Sequence, residues 1–292
     1  MREFVYSAPQ SIDEAIAELR RGEARPLAGG TDLLPQLREA RRSADRIVDL
    51  KRIVELGSIR LPPEGGVEIG AAMSATKVAQ HQAIAVGYPA IAASARLIGS
   101  VQVQNRASLG GNVCNAAPSA DVVPGLICHE ARAHLAGPTG RRQLPLEAFF
   151  AGPGKTVLEP GELLVSMLLA PVRQRSATSY LRFTPRREMD IAIAGVAVRI
   201  DLAEDRTIAG ARIALASVGP TPLRAPSAER LLCGNRLDRE LAAAAGRAAA
   251  ADARPISDTR ASADYRRSLV DVLTRRSLAA CARSLSIALE AA

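Results

Sequence analysis

The chain has 292 residues, a length that favours about two domains. It is 48% hydrophobic and 23% charged, which excludes a disordered or a collagen-like chain. No apolar run reaches the roughly 18 residues that a membrane-spanning helix requires. The N-terminal stretch Met1–Phe4 lacks the apolar core of a secretory signal, so we expect a cytoplasmic protein.

The net charge is basic but not concentrated in one segment. The chain has 38 lysines and arginines against 30 acidic residues, and the arginines are spread along its whole length. Tryptophan is absent and aromatic residues make up 3%. A nucleic-acid-binding surface gathers its cations on one face and combines them with aromatic side chains. We therefore predict no nucleic-acid partner.

Metal ligands and catalytic groups have no recognisable pattern. The four cysteines stand far apart, at positions 114, 128, 233 and 281, and none belongs to a C-x-x-C pair. The three histidines match no metal-binding spacing and no catalytic triad. The sequence predicts no metal site on this chain and no catalytic residue.

Short strands and helices alternate in the first half of the chain. The predicted strands are Phe4–Tyr6, Arg25–Ala28, Ile47–Leu50, Val67–Ile69, Ala133–Leu135 and Leu163–Ala170. The predicted helices run from Ser11 to about Gly22, from Thr31 or Asp32 to about Ala40, from Ser74 to Gln82, from Pro89 to Ile98, and from Pro118 or Ser119 to about Glu130. The segment Ser100–Asn105 is expected to be non-helical.

The pattern changes after a linker around Pro171–Ala177. Three β-rich runs are followed only by helices, which predicts an α+β unit with helices on one face of an antiparallel sheet. The runs are Ser179–Thr184, Ile191–Asp201 and Arg212–Val218, and the helices are Ser227–Cys233, Asp238–Ala251 and Ser262–Leu289.

A glycine pair follows the second predicted strand, at Gly29 and Gly30, and Thr31 stands where it can cap the next helix. Glycines allow a backbone turn whose successive N–H groups surround an anion, and a helix N-terminus adds partial positive charge. The loop therefore fits a phosphate. The alternative is a simple turn, the commoner role of such pairs.

A second pair, Gly110 and Gly111, precedes Asn112, Asn115 and Asp121. Two such loops could hold the two phosphates of a dinucleotide from opposite sides, with Asp121 accepting a hydrogen bond from a hydroxyl. Alternatively, Asp121 stabilises the first turn of a helix. Neither loop is G-x-G-x-x-G or a P-loop, so a Rossmann or P-loop assignment lacks support.

These loops and four further motifs resemble one protein family. The motifs are Ala28–Thr31, Asn105–Asn112, Ala117–Asp121, Phe149–Thr156, Arg186–Ala192 and Tyr265–Arg267. In this order, along essentially the whole chain, they resemble the FAD-binding medium subunit of the molybdenum hydroxylases, the family of xanthine dehydrogenase and aerobic carbon monoxide dehydrogenase.

The resemblance implies an α+β fold in two parts. Residues 1–175 would form an FAD-binding domain of the vanillyl-alcohol-oxidase (PCMH) type, with subdomains at about 1–57 and 58–175. Residues 176–292 would form a small C-terminal α+β domain, a three-stranded antiparallel sheet plus helices.

The resemblance also implies non-covalently bound FAD. Residues 26–33 and 108–112 would line its pyrophosphate from two sides, and Asp121 would hydrogen-bond it. Ile98 and Leu164 match apolar flavin contacts, and Arg182 falls where xanthine dehydrogenases carry a lysine near the flavin. Ile191 would lie against the isoalloxazine ring. The full set of implied cofactor-binding residues is Leu27, Ala28, Gly29, Gly30, Thr31, Asp32, Leu33, Ile98, Ser108, Leu109, Gly110, Gly111, Asn112, Asp121, Leu164, Arg182 and Ile191.

The implied function is electron transfer within a larger enzyme. Substrate would be hydroxylated at a molybdenum–pterin centre on a large subunit, and two-iron two-sulfur clusters on a small subunit would deliver electrons to FAD here. The expected assembly is a dimer of heterotrimers. NAD is the expected external acceptor, because Ile191 replaces a tyrosine of the carbon monoxide dehydrogenases, with quinone or dioxygen as alternatives. Two rival functions stay open, a flavin-free assembly subunit and a stand-alone FAD oxidoreductase.

Overall fold

The computed structural model describes residues 2–289, so Met1 of the N-terminal prediction and the predicted domain ends at 1 and 292 lie outside it. The chain begins with a three-stranded parallel sheet. It contains β1 (Val5–Ser7), α1 (Ile12–Leu19), β2 (Ala24–Leu27), α2 (Leu33–Arg38) and β3 (Arg46–Asp49), with strand order β1-β3-β2. The Ser11 hydroxyl caps α1, as its capping box predicts.

The second unit combines a five-stranded antiparallel sheet with six helices. Its elements are β4 (Ile59–Arg60), β5 (Val67–Gly70), α3 (Ala75–Gln80), α4 (Gln82–Gly87), α5 (Pro89–Ala95), α6 (Val101–Gln104), α7 (Leu109–Cys114), α8 (Val122–Cys128), β6 (Arg132–Gly137), β7 (Gly140–Pro145), β8 (Phe150–Gly152), β9 (Lys155–Thr156) and β10 (Leu163–Leu169). The sheet order is β4-β5-β10-β6-β7, and β8 and β9 form a separate hairpin.

Two local predictions in this unit are wrong. The segment predicted to be non-helical contains α6, whose last residue, Gln104, donates its N–H to the Ser100 carbonyl. The helix predicted from Pro118 or Ser119 begins only at Val122, because a turn closed by the Ala120 N–H and the Ala117 carbonyl comes first.

The third unit is a four-stranded antiparallel sheet followed by three helices. The elements are β11 (Ser176–Phe183), β12 (Ala194–Leu202), β13 (Ile208–Ala216), β14 (Leu223–Arg224), α9 (Pro226–Leu232), α10 (Arg239–Asp252) and α11 (Ala263–Ser284), with the strands in chain order. The expected three-stranded sheet is therefore wrong by one strand. The fourth, β14, has only two residues paired with β13, too few to show a period-two pattern.

Strand β12 is buried on both faces, which explains its nearly continuous apolar sequence. Ala197 packs into the core of the second unit, whereas Val196 and Val198 pack into the core of the third. The two units are thus joined through the C-terminal sheet. No helix within residues 2–289 is both long enough and apolar enough to cross a membrane.

His129, next to the C-terminal end of α8, is buried at this junction. Its ring lies edge-on to Tyr88 with centroids 4.8 Å apart, and its Nε2 has no hydrogen-bond partner within the described chain. Burial, assisted by the positive charge of Arg199, lowers the pKa of His129 to about 3. The imidazole is therefore neutral in the folded protein.

We expect His129 to make the fold sensitive to mild acid. The unfolded chain takes up a proton on this histidine below about pH 6.5 and the folded chain does not, so stability falls as pH drops from 6.5 towards 3. Between pH 7 and pH 5 the expected loss is about 2 kcal/mol. Urea titrations of the wild type and His129→Leu at both pH values measure it. An equal pH dependence in both proteins would contradict the assignment.

Candidate functional site

A cleft of about 730 Å³ lies where the three units meet. This volume is in the range of small-molecule and cofactor sites. The residues that line the cleft come from the first loop and its flanks, from α7 and the segments beside it, from the β9 region and from one loop of the third unit. They include residues 24–33, 98–99, 107–108, 111–112, 114–115, 119–121, 158–159, 161–162 and 189–191.

The first loop offers unpaired backbone donors to this cleft. Gly30 has φ +76°, and the N–H groups of Gly29, Gly30 and Thr31 donate no hydrogen bond to the residues that the structure describes. Lys51 donates from Nζ to the Ala28 carbonyl oxygen at 3.2 Å. Because a trans peptide directs C=O and N–H to opposite sides, this bond turns the Gly29 N–H away from Lys51. The loop has the donors that an anion requires.

Gly29 serves a second purpose, since the loop touches the second unit here. A Cβ at this position would lie 1.9 Å from the Arg106 carbonyl oxygen and 2.9 Å from the Ala107 Cα. Only glycine permits this backbone contact. The glycine is therefore required by packing within the protein as well as by any close approach of a ligand.

The second glycine pair differs from its prediction. Gly110 and Gly111 lie inside α7, and every N–H from Leu109 to Asn112 is already used within the protein. Ser108, Gly111 and Asn112 line the cleft, but Gly110 packs against Ala71, whose carbonyl oxygen would lie 2.5 Å from an added Cβ. Residues 109–112 therefore supply no free backbone donor. What they supply is the Asn112 carboxamide, whose Oδ1 is buried and has no hydrogen-bond partner within the described chain.

Backbone donors on this side come instead from the turn 117–121. The N–H groups of Ser119 and Asp121 donate no hydrogen bond within residues 2–289. Two carbonyl oxygens hold the turn: the Gly154 N–H donates to that of Ala116, just before the turn, at 2.9 Å, and the Ser217 N–H donates to that of Pro118 at 2.7 Å. In the sequence, the Ala117–Asp121 motif is what indicates that this turn belongs to the site.

Asp121 is held by two side chains of β11. The Tyr180 hydroxyl donates to Oδ1 at 2.7 Å, and the Arg182 guanidinium donates to Oδ2. Burial raises the pKa of Asp121, while the Arg182 charge and both hydrogen bonds oppose that shift. Arg182 does not line the cleft, and its side chain is only 6% exposed. In this structure Arg182 is the counterion of Asp121, and its expected place near a flavin stays a prediction.

Of the remaining apolar residues predicted to contact the cofactor, some line the cleft and others do not. Ile98 and Val103 line the cleft, and so do Met189 and Ile191, the latter 46% exposed. Leu164, on β10, is buried in the core and does not line the cleft, and neither do Leu109 and Gly110. These three lie behind the cleft wall, where their side chains or Cα atoms complete its packing, and their contact with a cofactor stays a prediction.

Several residues that line the cleft are absent from the predicted cofactor-binding set. Gln36 reaches across the cleft and donates from Nε2 to Asn115 Oδ1 at 3.4 Å, which links the first unit to the second. No sequence feature marks Gln36 as a site residue, because it is one polar residue of a short exposed helix. The other missed residues include Arg42, Thr156, Leu158, Glu159, Glu162, Met189 and Asp190.

The residues present fit an FAD molecule. Free N–H groups stand on two walls, where the pyrophosphate of a dinucleotide needs donors, and the orphaned Asn112 oxygen can accept from a ribityl or ribose hydroxyl. Ile98 and Ile191 supply apolar surface for a ring. Within residues 2–289, no group of three histidine, cysteine or acidic side chains is placed to hold a metal ion.

Comparison with known proteins identifies the family. The family model of the FAD binding domain in molybdopterin dehydrogenase matches residues 2–170, and that of the CO dehydrogenase flavoprotein C-terminal domain matches residues 179–281. The chain is 35% identical to the carbon monoxide dehydrogenase medium chain of Hydrogenophaga pseudoflava, over 94% of this chain and 96% of that one. It is 32% identical to a xanthine dehydrogenase FAD-binding subunit of Escherichia coli, over 87% of each.

A solved structure agrees with this. The carbon monoxide dehydrogenase of Hydrogenophaga pseudoflava contains a chain that superposes with a TM-score of 0.91 at 34% identity, over 96% of this chain and 97% of that one. The chain therefore belongs to the family of FAD-binding medium subunits of the molybdenum hydroxylases, the oxidoreductases that include carbon monoxide dehydrogenase and xanthine dehydrogenase.

Proposed function

We propose that this chain is the electron-transfer subunit of a molybdenum hydroxylase, passing electrons from iron–sulfur clusters of a partner subunit to an external acceptor. The observation that carries the proposal is the cleft lined by two separate segments, residues 29–31 and 119–121, that both have free backbone donors. FAD, when bound, supplies the exchange between one-electron and two-electron transfer.

Different residues of the cleft hold different parts of the cofactor. The N–H groups of Gly29, Gly30 and Thr31 bind one side of the pyrophosphate, and those of Ser119 and Asp121 bind the other. Leu27, Asp32 and Leu33 complete the first wall. Ile98 and Ile191 bound the place of the ring, and Ser108 and Asn112 supply polar side chains. The Asp121 carboxylate orders the turn 117–121 through Tyr180 and Arg182.

The chain needs partners to complete a reaction. Relatives are called medium chains, which implies larger and smaller companions. We propose a large molybdenum–pterin subunit and a small iron–sulfur subunit, joined as a dimer of heterotrimers in the cytoplasm.

Titration of the purified chain with FAD tests the proposal. The expected result is one FAD per chain, released on denaturation, since no covalent link is proposed. A folded chain that takes up no FAD would favour the flavin-free assembly subunit. Substrate turnover by the chain alone would favour the stand-alone oxidoreductase. Metal, pterin and flavin analysis of the native complex then tests the partners.

NAD is the proposed acceptor, because the exposed aliphatic side chain of Ile191 leaves more room beside the ring than a tyrosine would. In Ile191→Tyr we expect the native complex to form NADH about 2- to 10-fold more slowly, since a tyrosine stacked here must be displaced at a cost of about 0.5–1.5 kcal/mol. A small dye acceptor serves as the control and should be reduced at an unchanged rate. Rapid quinone reduction without any NADH formation by the wild type would refute the proposal.

A further inference from the structure

Arg266, near the start of α11, is a buried cation with four hydrogen-bond contacts. Its Nη1 donates to the carbonyl oxygens of Ile193 at 2.7 Å and of Ser217 at 3.1 Å. Its Nη2 donates to both carboxylate oxygens of Asp258, at 2.8 and 2.9 Å. The residue is 4% exposed. A guanidinium is suited to this task because its donors are fixed in one plane.

The first of these carbonyls ends the loop that reaches the cleft from the third unit. Ile193 follows Ile191 by two residues, and its N–H donates to the Phe183 carbonyl at 2.9 Å, which closes the base of the loop. The neighbouring Tyr265 packs edge-on against the Phe183 ring, with centroids 6.1 Å apart. Consecutive residues of α11 therefore hold both ends of this loop.

The second carbonyl belongs to Ser217, the residue that holds the turn 117–121. Ser217 has φ +65°, a conformation that a non-glycine residue adopts only where its surroundings enforce it. In this conformation its N–H donates to the Pro118 carbonyl at 2.7 Å, which fixes the turn 117–121. The guanidinium on the Ser217 carbonyl is one of the contacts that enforce it.

We propose that Arg266 is a positioning residue for the FAD site: through one guanidinium it fixes both the loop that carries Ile191 and the turn that supplies the Ser119 and Asp121 donors. The proposal rests on the proposed function. Arg266 itself does not line the cleft, so its effect on the cofactor passes through the Ile193 and Ser217 carbonyls. The two contacts of Nη2 with the Asp258 carboxylate hold the guanidinium where its Nη1 reaches the Ile193 and Ser217 carbonyls.

The test uses Arg266→Gln in the full chain, with Arg267→Gln as the matched control, because Arg267 is its neighbour but is 43% exposed and pairs only within α11, with Asp264. We expect Arg266→Gln to bind FAD at least tenfold more weakly, and Arg267→Gln to bind like the wild type. At saturating FAD, the ³¹P resonances of the bound pyrophosphate should shift in Arg266→Gln only. A purely structural role would lower the melting temperature without moving these resonances.

Asp258→Asn keeps the test decisive if Arg266→Gln does not fold. Asp258 lies towards the surface, with 35% of its side chain exposed, so the variant should fold while its Arg266 is less firmly oriented. We expect a several-fold loss of FAD affinity and a smaller shift of the same ³¹P resonances. Wild-type affinity and resonances in Asp258→Asn and in any folded Arg266 variant would overturn the positioning role. Absence of FAD binding by the wild type would overturn the proposed function instead.

Discussion

Replacement of Gly29 by alanine is expected to abolish detectable FAD binding and to lower the free energy of unfolding by about 1–3 kcal/mol. The added Cβ would lie 1.9 Å from the Arg106 carbonyl oxygen, and its next neighbours are also backbone atoms. A side chain can rotate away from such a contact, but these atoms cannot. The first loop must then separate from the second unit, and the free N–H groups move with it.

Gly57→Ala is the matched control, because Gly57 is exposed and does not line the cleft. A Cβ added at Gly57 meets no atom within 4 Å outside its neighbouring backbone. We therefore expect an FAD affinity like that of the wild type and a change in the free energy of unfolding within about 0.5 kcal/mol. FAD fluorescence titration and urea unfolding measure both variants. Equal effects in the two would show that the Gly29 backbone contact is not the cause.

The fold class and most elements could be predicted from the sequence, since helix caps and apolar patterns are local signals. Ser11 caps α1 as its sequence predicts, and the three long strands of the third unit stand close to their predicted positions. The short elements could not be predicted. The strand β14 and the helix α6 have two and four residues, so they depend on tertiary contacts and not on a repeating pattern.

Some features of the site could likewise be predicted from the sequence, and others could not. The first loop was predictable because a strand, two glycines and a helix start are contiguous. The roles of the second segment were not, because whether an N–H is free depends on distant partners such as Ala71 and Met73. Leu164 shows the same limit, since a sequence does not reveal which face of a buried strand borders a cleft. Glycines that serve packing cannot be told by sequence from glycines that serve a ligand.

The role of Arg182 also depends on tertiary contacts. The side chains of Arg182 and Asp121 are 6% and 11% exposed, so each charge is largely removed from water and relies on the other. Removal of one partner from such a pair leaves an uncompensated buried charge, which typically costs about 3–5 kcal/mol. We therefore expect that a single substitution of Arg182, which does not line the cleft, lowers the free energy of unfolding substantially.

Arg182→Met is expected to lower the free energy of unfolding at pH 7 by about 3–5 kcal/mol and to weaken FAD binding, because the turn 117–121 loses its anchor. The double variant with Asp121→Asn removes the charge left behind and should recover part of the loss.

In Arg182→Met the pKa of Asp121 lies further above its unfolded value, so the folded state binds more protons than the unfolded state. Its stability relative to the wild type should consequently rise as pH is lowered from 7. Urea unfolding of the wild type, both single variants and the double variant at pH 7 and at pH 5 measures this cycle. Additive losses without any pH-dependent recovery would show that Arg182 contributes through packing and not as the counterion of Asp121.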